Sequence, residues 1–105
     1  VGTLIFDEVD AGVSGRAAQK VAEKLRAVSS DKQVLCVTHL AQIACFADNH
    51  FLISKSESEN KTYTKVENLD KEGKIRELAR IIGGIEATRL SLDTAAEMIE
   101  NAKKY

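Results

Sequence analysis

The sequence contains no proline, only two cysteines and no long apolar segment. Two cysteines in a chain of this size do not make the dense disulfide framework of a small secreted domain, so both thiols are expected to be reduced. No apolar run approaches the roughly 20 residues that cross a bilayer, and no charged-then-apolar leader is present. The sequence therefore predicts a cytoplasmic protein without membrane insertion. The missing proline and an apolar run that starts at the first residue suggest a segment cut from a longer chain.

An excess of charge of either sign is also missing. The 15 Lys and Arg residues nearly balance the 16 Asp and Glu residues, which leaves a formal charge of −1. This balance excludes a uniformly basic surface for nucleic acid or for an anionic membrane. Any contact with DNA would need a local patch or another part of the protein. The 105 residues, 44% of them hydrophobic, are enough for one small domain with a modest core.

The first third of the chain has the pattern of a βαβ unit. Residues 3–6 form a β-branched and aromatic run that predicts a fully buried strand, and residues 34–37 form a second such run. Between them, a helix is expected over residues 15–29, with Ser14 as its N-cap and one apolar stripe along its length, made of Ala18, Val21, Leu25 and Val28. A strand, a helix and a second strand in this order predict two parallel strands joined by a right-handed crossover.

The rest of the chain predicts a hairpin and two helices. A short helix is expected over residues 40–47, followed by a strand at 51–55, a polar turn, and an antiparallel strand at 62–66 at the margin of the same sheet. Helical spacing of apolar residues then predicts a helix over 71–82 that stops at Gly83-Gly84, and a last helix that ends near Ala102. These two helices are expected to cover the sheet. The fold class is α/β, with one domain over residues 1–105.

Two carboxylates follow the first predicted strand directly. Four apolar residues followed by Asp7 and Glu8 fit the Walker B pattern of nucleotide hydrolases. In that pattern the strand fixes the first carboxylate so that it holds Mg²⁺, usually through water, beside the nucleotide phosphates. The second carboxylate polarises the attacking water as a general base. The alternative is that two acids simply end a strand and begin a loop. The following loop, which contains Gly12 and Gly15 and leads into a helix, can approach another backbone closely and favours the first interpretation.

His39 is the second candidate for the same site. It follows the second predicted strand after Thr38, and the carboxyl ends of parallel strands meet at one edge of a sheet. A histidine at this edge can reach a terminal phosphate and stabilise its charge. The alternative is a capping or structural histidine, and the pairing with Asp7 and Glu8 favours the functional role.

Three ordered blocks of sequence, at residues 4–15, 37–44 and 77–84, resemble the carboxyl-terminal end of the RecN family of bacterial DNA repair proteins. That family is similar to the SMC proteins, in which a P-loop NTPase head of the ABC type is split by a long coiled coil. The resemblance covers essentially the whole chain. It implies a role in recombinational repair of DNA double-strand breaks, in the bacterial cytoplasm and in association with the nucleoid during repair.

The resemblance also implies roles for individual residues. Asp7 becomes the Walker B aspartate that binds Mg²⁺, Glu8 the hydrolytic glutamate, and His39 the switch histidine. Residues 10–14 become the D-loop, whose nucleotide-side residues are Asp10, Gly12 and Ser14. In this superfamily two heads of a homodimer enclose two ATP molecules, and the D-loop crosses the interface. The implied partners are the second head, the rest of the chain's own head, and DNA through the full-length protein. Val9 stands where most transporters of the ABC type have proline, which points to the SMC-like branch.

Two motifs that such a head requires are not found in the sequence. The chain has no G-x-x-x-x-G-K-[ST] phosphate loop, and no Leu-Ser-Gly-Gly signature segment. Because backbone amides of the phosphate loop hold the nucleotide, the chain alone is expected neither to bind ATP with useful affinity nor to hydrolyse it.

The same residues fit four other classes of protein less well. Residues 7–10 also spell a helicase motif of the Asp-Glu-x-Asp type, but the Ser-Ala-Thr motif of such helicases is not found after the next strand. The head of another SMC-like protein is a further alternative. A zinc module would use Cys36, His39 and Cys45, but a fourth ligand with suitable spacing is not found. An interaction domain would use the last two helices, and apolar surface left exposed predicts self-association.

The helix predicted at 71–82 is a candidate contact for DNA because it carries several basic residues. Lys71, Lys74, Arg76 and Arg80 gather on the helix predicted at 71–82, but Glu72 and Glu77 interrupt them. The alternation favours a solvated face with intrahelical ion pairs.

Overall fold

The structure is a computed structural model that describes residues 2–7, 15–84 and 87–105. Within these ranges the elements follow one another as β1 (Thr3–Asp7), α1 (Gly15–Val28), β2 (Gln33–Val37), α2 (Ala41–Ala44), β3 (Phe51–Ser58), β4 (Lys61–Asn68), α3 (Lys71–Gly83) and α4 (Arg89–Ala102). The α/β class and the predicted order of elements are confirmed.

The strands β1 and β2 pair in parallel, as the βαβ pattern predicted. Their register runs from Thr3 opposite Gln33 to Asp7 opposite Val37. The Gln33 amide also donates to the Gly2 carbonyl at 2.9 Å, which extends the ladder at its amino end. Both strands therefore end at the same edge of the sheet, which is the geometry that the candidate site requires.

The prediction that β1 is fully buried was wrong. Along β1 and β2 exposed and half-buried residues alternate, and the exposed positions include Ile5 (71%) and Leu35 (45%). The inward face of β2 contributes Cys36 to a small cluster built on Ala18 and Ala22 of α1 and on Ile43 of α2. Helices within the described ranges thus cover one face of the two-stranded sheet. The apolar run of β1 is typical of a strand that is buried on both faces, but the described residues cover only one face of this strand.

The hairpin forms a sheet of its own, so its predicted position at the margin of the parallel sheet was also wrong. Strands β3 and β4 pair with each other in antiparallel register, from Phe51 opposite Asn68 to Ser58 opposite Lys61. Its turn consists of Glu59 (φ 51°) and Asn60 (φ 63°), both in the left-handed region. Such two-residue turns match the right-handed twist of the strands, which lets the pairing continue for eight residues on each side.

Helix α2 is shorter than predicted. It spans one turn, and Cys45 is its C-cap, whereas the sequence predicted a helix over 40–47 with Cys45 two turns along it. Leu40 is the N-cap but provides no side-chain hydrogen bond. A single turn without a side-chain cap gains little from its own hydrogen bonds. It is held mainly by packing, because Ala41, Ile43 and Ala44 are all buried.

Helices α3 and α4 pack against each other and against α2, and not over the sheet as predicted. Leu78 and Ala79 of α3 and Ala95 of α4 are completely buried in this cluster, and Cys45 joins them. The apolar spacing predicted the two helices correctly, but their apolar faces pack against each other and α2 and not against the sheet. Phe46 packs against both this cluster and the one beneath β2, so the two small cores meet at the end of α2.

Local sequence determines where α3 and α4 begin and end. The Asp70 carboxylate accepts the Gly73 amide at 2.7 Å before α3, and Thr88 and Ser91 form a capping box before α4. Gly84 follows α3 with φ 89°, a conformation that favours glycine and agrees with the predicted stop.

Candidate functional site

Asp7 is the last residue of β1 and lies at the carboxyl edge of the parallel sheet. Its side chain is exposed, and within the described ranges it makes no hydrogen bond or ion pair. The residue opposite it on β2 is Val37. The exposed carboxylate therefore lies where the candidate site is expected, at the carboxyl edge of the parallel sheet.

Thr38 and His39 continue from β2 at the same edge. The Thr38 hydroxyl oxygen accepts the Leu40 amide at 3.1 Å, which turns the chain out of the strand and into α2. Leu40 packs against the cluster of Ala18, Ala22 and Ile43. His39 is thus exposed between a paired strand and a packed helical turn, and both ends of its short segment are fixed.

The parallel register brings Asp7 and His39 together as predicted. His39 lies two residues beyond Val37, which pairs with Asp7, and neighbouring strands are about 4.8 Å apart. An acidic and an imidazole side chain therefore extend from adjacent strand ends. Thr38 was assigned to this edge from the sequence, but its hydrogen bond to Leu40 was not predicted.

The other predicted site residues lie outside the described residues. These are the base candidate Glu8, the loop residues Asp10, Gly12 and Ser14, and with Ser14 the predicted N-cap of α1. Gly15, the next described residue, has φ +55° at the start of α1. This value agrees with the expectation that glycine gives the loop a conformation unfavourable to other residues.

Asp7 fits the chemistry of a magnesium ligand. Mg²⁺ keeps several of its waters and is commonly held by one or two carboxylates together with phosphate oxygens, so one exposed carboxylate at a strand end is sufficient on the protein side. A zinc module would need more. Across residues 2–7, 15–84 and 87–105, no three His, Cys, Asp or Glu side chains are grouped so that they could hold a metal. Cys45 is buried in the helical cluster, and Cys36 is half-buried in β2.

A second polar cluster was missed by the sequence analysis. Lys74, His50 and Cys45 line one cleft of about 320 Å³, although they come from α3, from the residue before β3 and from the end of α2. Burial, with a contribution from Lys74, lowers the pKa of His50, and burial also raises the pKa of the Cys45 thiol. Burial likewise lowers the pKa of Lys74. No sequence pattern predicts this cluster, because its members are separated along the chain and come together only when the elements pack.

None of the helices in the described part of the chain has the length and apolar character needed to span a bilayer.

Comparison with known proteins gives a consistent set of relatives. No protein-family model matches the chain. It is 49% identical over 102 residues to the DNA repair protein RecN of Halalkalibacterium halodurans, covering 97% of this chain and 18% of that protein. It is 48% identical over 102 residues to the DNA repair protein RecN of Bacillus subtilis, with the same coverage of 97% and 18%. The RecN protein of Haemophilus influenzae is 47% identical over 100 residues, which cover 95% of this chain and 18% of that protein.

One solved structure has a similar fold. It comes from work on ATP-driven dimerization and DNA-stimulated activation of SMC ATPases, and it superposes with a TM-score of 0.62. The match covers 78% of this chain and 48% of the solved chain, with 23% sequence identity. At this identity the likeness concerns the fold alone.

The curated relatives extend far beyond the matched region, because this chain spans only about a fifth of their length, 18% in each of the three described above. The match covers 95–97% of this chain, so it includes both strand ends of the candidate site. The chain therefore belongs, as a segment, to the RecN family of DNA repair proteins.

Proposed function

We propose that this chain is the carboxyl-terminal lobe of an ABC-type ATPase head, and that it provides half of an ATP hydrolysis site to a RecN protein. The full-length protein would act in recombinational repair of DNA double-strand breaks. The observation that carries the proposal is the parallel pairing of β1 and β2, since it brings Asp7 and His39 to one edge within a sequence of the RecN family.

Each residue at this edge has a distinct role in the proposal. Mg²⁺, when bound, would neutralise charge on the nucleotide phosphates. Asp7 would hold the ion, through a water of its hydration shell. Glu8, the next residue along the chain, accepts a proton from the attacking water. His39 donates a hydrogen bond to the terminal phosphate and stabilises the charge that develops there.

The loop at residues 10–14 connects this site to a second head. Asp10, Gly12 and Ser14 would lie beside the nucleotide and across the interface of a homodimer. The phosphate loop and the signature segment would come from the rest of the two heads, because neither motif is found in this sequence. The solved neighbour from work on ATP-driven dimerization and DNA-stimulated activation of SMC ATPases supports this arrangement. DNA would be bound through the full-length protein, in the bacterial cytoplasm and at the nucleoid during repair.

The chain alone would be inactive. Without a phosphate loop it has no set of backbone amides to hold the β- and γ-phosphates, so Asp7 and His39 have no fixed substrate. Isothermal calorimetry of the 105-residue chain with Mg·ATP should give no measurable binding. Micromolar affinity would contradict this part of the proposal.

The role of Glu8 is tested by Glu8→Gln in the full-length protein. Glutamine preserves the size of the side chain but cannot accept the proton, so hydrolysis should fall by about two to four orders of magnitude. ATP binding should persist, and the closed dimer of heads should accumulate in size-exclusion chromatography with ATP. His39→Ala should also lower hydrolysis, because it removes a donor to the terminal phosphate.

A matched control separates these effects from a general loss of charge. Glu97 is exposed on α4, far along the chain from the strand ends, and Glu97→Gln should hydrolyse ATP at the wild-type rate. Normal turnover in Glu8→Gln would refute the assignment of the base. Normal turnover in His39→Ala would refute the contact with the terminal phosphate.

A further inference from the structure

A basic cleft lies where the end of α1, the start of α3 and the end of α4 meet. It has a volume of about 320 Å³, and its lining includes six charged side chains: Arg26, Lys71, Lys74, Lys103, Asp48 and Asp70. Four of the six are cations, so the lining carries an excess of two positive charges. In a chain with a formal charge of −1, this excess is a local feature of the fold.

The two carboxylates of the cleft are already engaged. Asp48 accepts a hydrogen bond from the Arg26 guanidinium at 2.7 Å, and Asp70 accepts the Gly73 amide at 2.7 Å as the N-cap of α3. Neither forms an ion pair with a lysine of the cleft within the described residues. Lys103 pairs outside the lining with Glu100 at 3.0 Å, so Lys71 and Lys74 are the lining cations that have no carboxylate partner among the described residues and keep capacity for another anion.

Lys74 is a half-buried lysine in the lining of the cleft. Its ammonium group is half-buried and donates to the Ala47 carbonyl, and no carboxylate lies within ion-pair distance among the described residues. Burial lowers the pKa of Lys74, Cys45 and Asp48 oppose this shift, and the positive charges of Arg26 and Lys103 add to it. A partly desolvated cation beside other cations is stabilised when an anion enters and interacts with all of them.

Of the titratable groups in the lining, Cys45 and His50 add no negative charge, whereas outside the lining Glu77 acts on His50 and Glu100 pairs with Lys103. Burial raises the pKa of the Cys45 thiol, and burial lowers the pKa of His50, so both are neutral near pH 7. The Nδ1 atom of His50 is buried and has no hydrogen-bond partner within the described part of the molecule. It adds an unsatisfied polar atom to the wall of the cleft.

We propose that this cleft binds a phosphate group, either a phosphodiester of a nucleic acid or a free phosphate. Lys74 is the inner ligand, and Lys103 and Lys71 contact the group from the rim. Lys71 and Lys74, the two lining cations without a carboxylate partner among the described residues, suit a phosphate dianion or successive phosphates of a backbone better than a single carboxylate.

The cleft is separate from the strand ends where hydrolysis is proposed. Arg26 lies in the last turn of α1, whereas the loop after Asp7 leads into its first turn. Eleven residues of helix put about 16 Å between these two ends of α1. Phosphate binding in the cleft therefore does not depend on the proposed ATPase site. A failed test of ATP hydrolysis would not contradict phosphate binding in the cleft, and a failed test of phosphate binding would not contradict ATP hydrolysis.

A local probe makes the phosphate site measurable in the full-length protein. Ile99 lines the cleft, so its ¹³C-labelled methyl group reports binding there. Titration with inorganic phosphate, against chloride at matched ionic strength, should give a saturable shift of the Ile99 signal. Lys74→Gln should weaken this affinity by about tenfold or more, the usual effect of losing one charge-assisted hydrogen bond. Glutamine still offers a donor to the Ala47 carbonyl, which limits damage to the fold.

Adjacent lysines provide the matched control. Lys103 lines the cleft, whereas Lys104 is exposed and is not part of the lining. Lys103→Gln should weaken phosphate binding, and Lys104→Gln should leave it unchanged. The Lys103 variant also serves if Lys74→Gln disturbs folding. The proposal is overturned if phosphate and DNA both leave Ile99 unshifted, or if the Lys103 and Lys104 variants behave alike.

DNA binding distinguishes the two sources of phosphate. Fluorescence anisotropy with a duplex oligonucleotide over a range of salt gives the slope of log K against log salt. If the cleft holds a DNA phosphate, Lys74→Gln should reduce this slope by about one. If Lys74→Gln leaves the salt slope of DNA binding unchanged but loses the Ile99 response to inorganic phosphate, the ligand is a free phosphate.

Discussion

Glu77 and Arg80 show how much one pair of residues depends on its surroundings. The Glu77 residue is only 8% exposed, and the Arg80 Nε atom donates to its two carboxylate oxygens at 3.0 and 3.1 Å. The hydrogen bond and charge of Glu77 raise the pKa of Arg80. The sequence predicted intrahelical pairs on this helix but gave no indication that this carboxylate is buried.

Removing the arginine should destabilise the fold. Arg80→Ala leaves the Glu77 carboxylate buried without its partner, which costs about 1 to 3 kcal/mol of unfolding free energy. Urea unfolding followed by circular dichroism measures this change. Arg76→Ala on the same helix should have little effect, because Arg76 is exposed and makes no ion pair within the described residues.

A second substitution tests the mechanism. Adding Glu77→Gln to Arg80→Ala removes the unpaired charge, so the double variant should recover part of the lost stability. A double variant as unstable as the sum of its two single variants would show that the pair is not coupled.

At the scale of elements, local sequence was a good guide to where helices lie and a poor guide to what they contact. Helical spacing and the Gly83-Gly84 stop predicted α3 to within a residue, and the structure adds the Asp70 cap at its start. The same stripe of apolar residues suits a sheet or another helix equally well. Only the folded chain pairs α3 with α4 and α2 and leaves the hairpin in a separate sheet.

The hairpin turn offers a test at this scale. Glu59 has φ 51°, a conformation that costs a residue with a Cβ atom about 1 kcal/mol and that asparagine tolerates better. Glu59→Asn should therefore stabilise the hairpin by about 0.5 kcal/mol. Hydrogen–deuterium exchange of the β3 and β4 amides should become slower.

The control for this change lies two residues away. Glu57 is exposed within β3, where the backbone is extended, so Glu57→Asn should not slow exchange. Equal protection in the two variants would attribute the effect to charge and not to turn geometry.

At the scale of the whole molecule, the main feature is apolar surface that the chain leaves exposed. Ile5, Leu35 and Val37 lie on the uncovered face of the parallel sheet, and Val37 is 46% exposed. Exposed apolar surface was predicted and is confirmed within the described residues. A continuous apolar patch on a sheet marks a surface that packs against another element or another protein.

This surface predicts that the isolated chain self-associates. Sedimentation velocity over a range of concentrations should show dimers or larger species, and Leu35→Thr should shift the distribution toward the monomer, because threonine removes apolar surface but is β-branched and favours a strand. Leu90 is 77% exposed on α4, away from the sheet, so Leu90→Thr is the matched control. A monodisperse monomer at high concentration would contradict the prediction.

The candidate site was predictable to the extent that it depends on strand ends. Asp7 and His39 follow two apolar runs, and the βαβ pattern alone requires parallel strands whose carboxyl ends meet at one edge. The roles of Glu8, Asp10, Gly12 and Ser14 stay predictions, since these residues lie outside the described ranges. The cleft around Lys74 was not predictable, because its charges come from four separate parts of the chain.

The sequence by itself determined the order of elements, the stop of α3 at Gly84 and the placement of Asp7 and His39 at one edge of the parallel sheet. These features depend on local hydrogen bonding, on periodicity and on the direction of neighbouring strands. Tertiary structure alone decided which face of β1 is covered, which partner α3 selects, and which cations meet around Lys74. Hydrophobic burial is non-directional, so an apolar stripe specifies that a surface must be covered but not which element covers it.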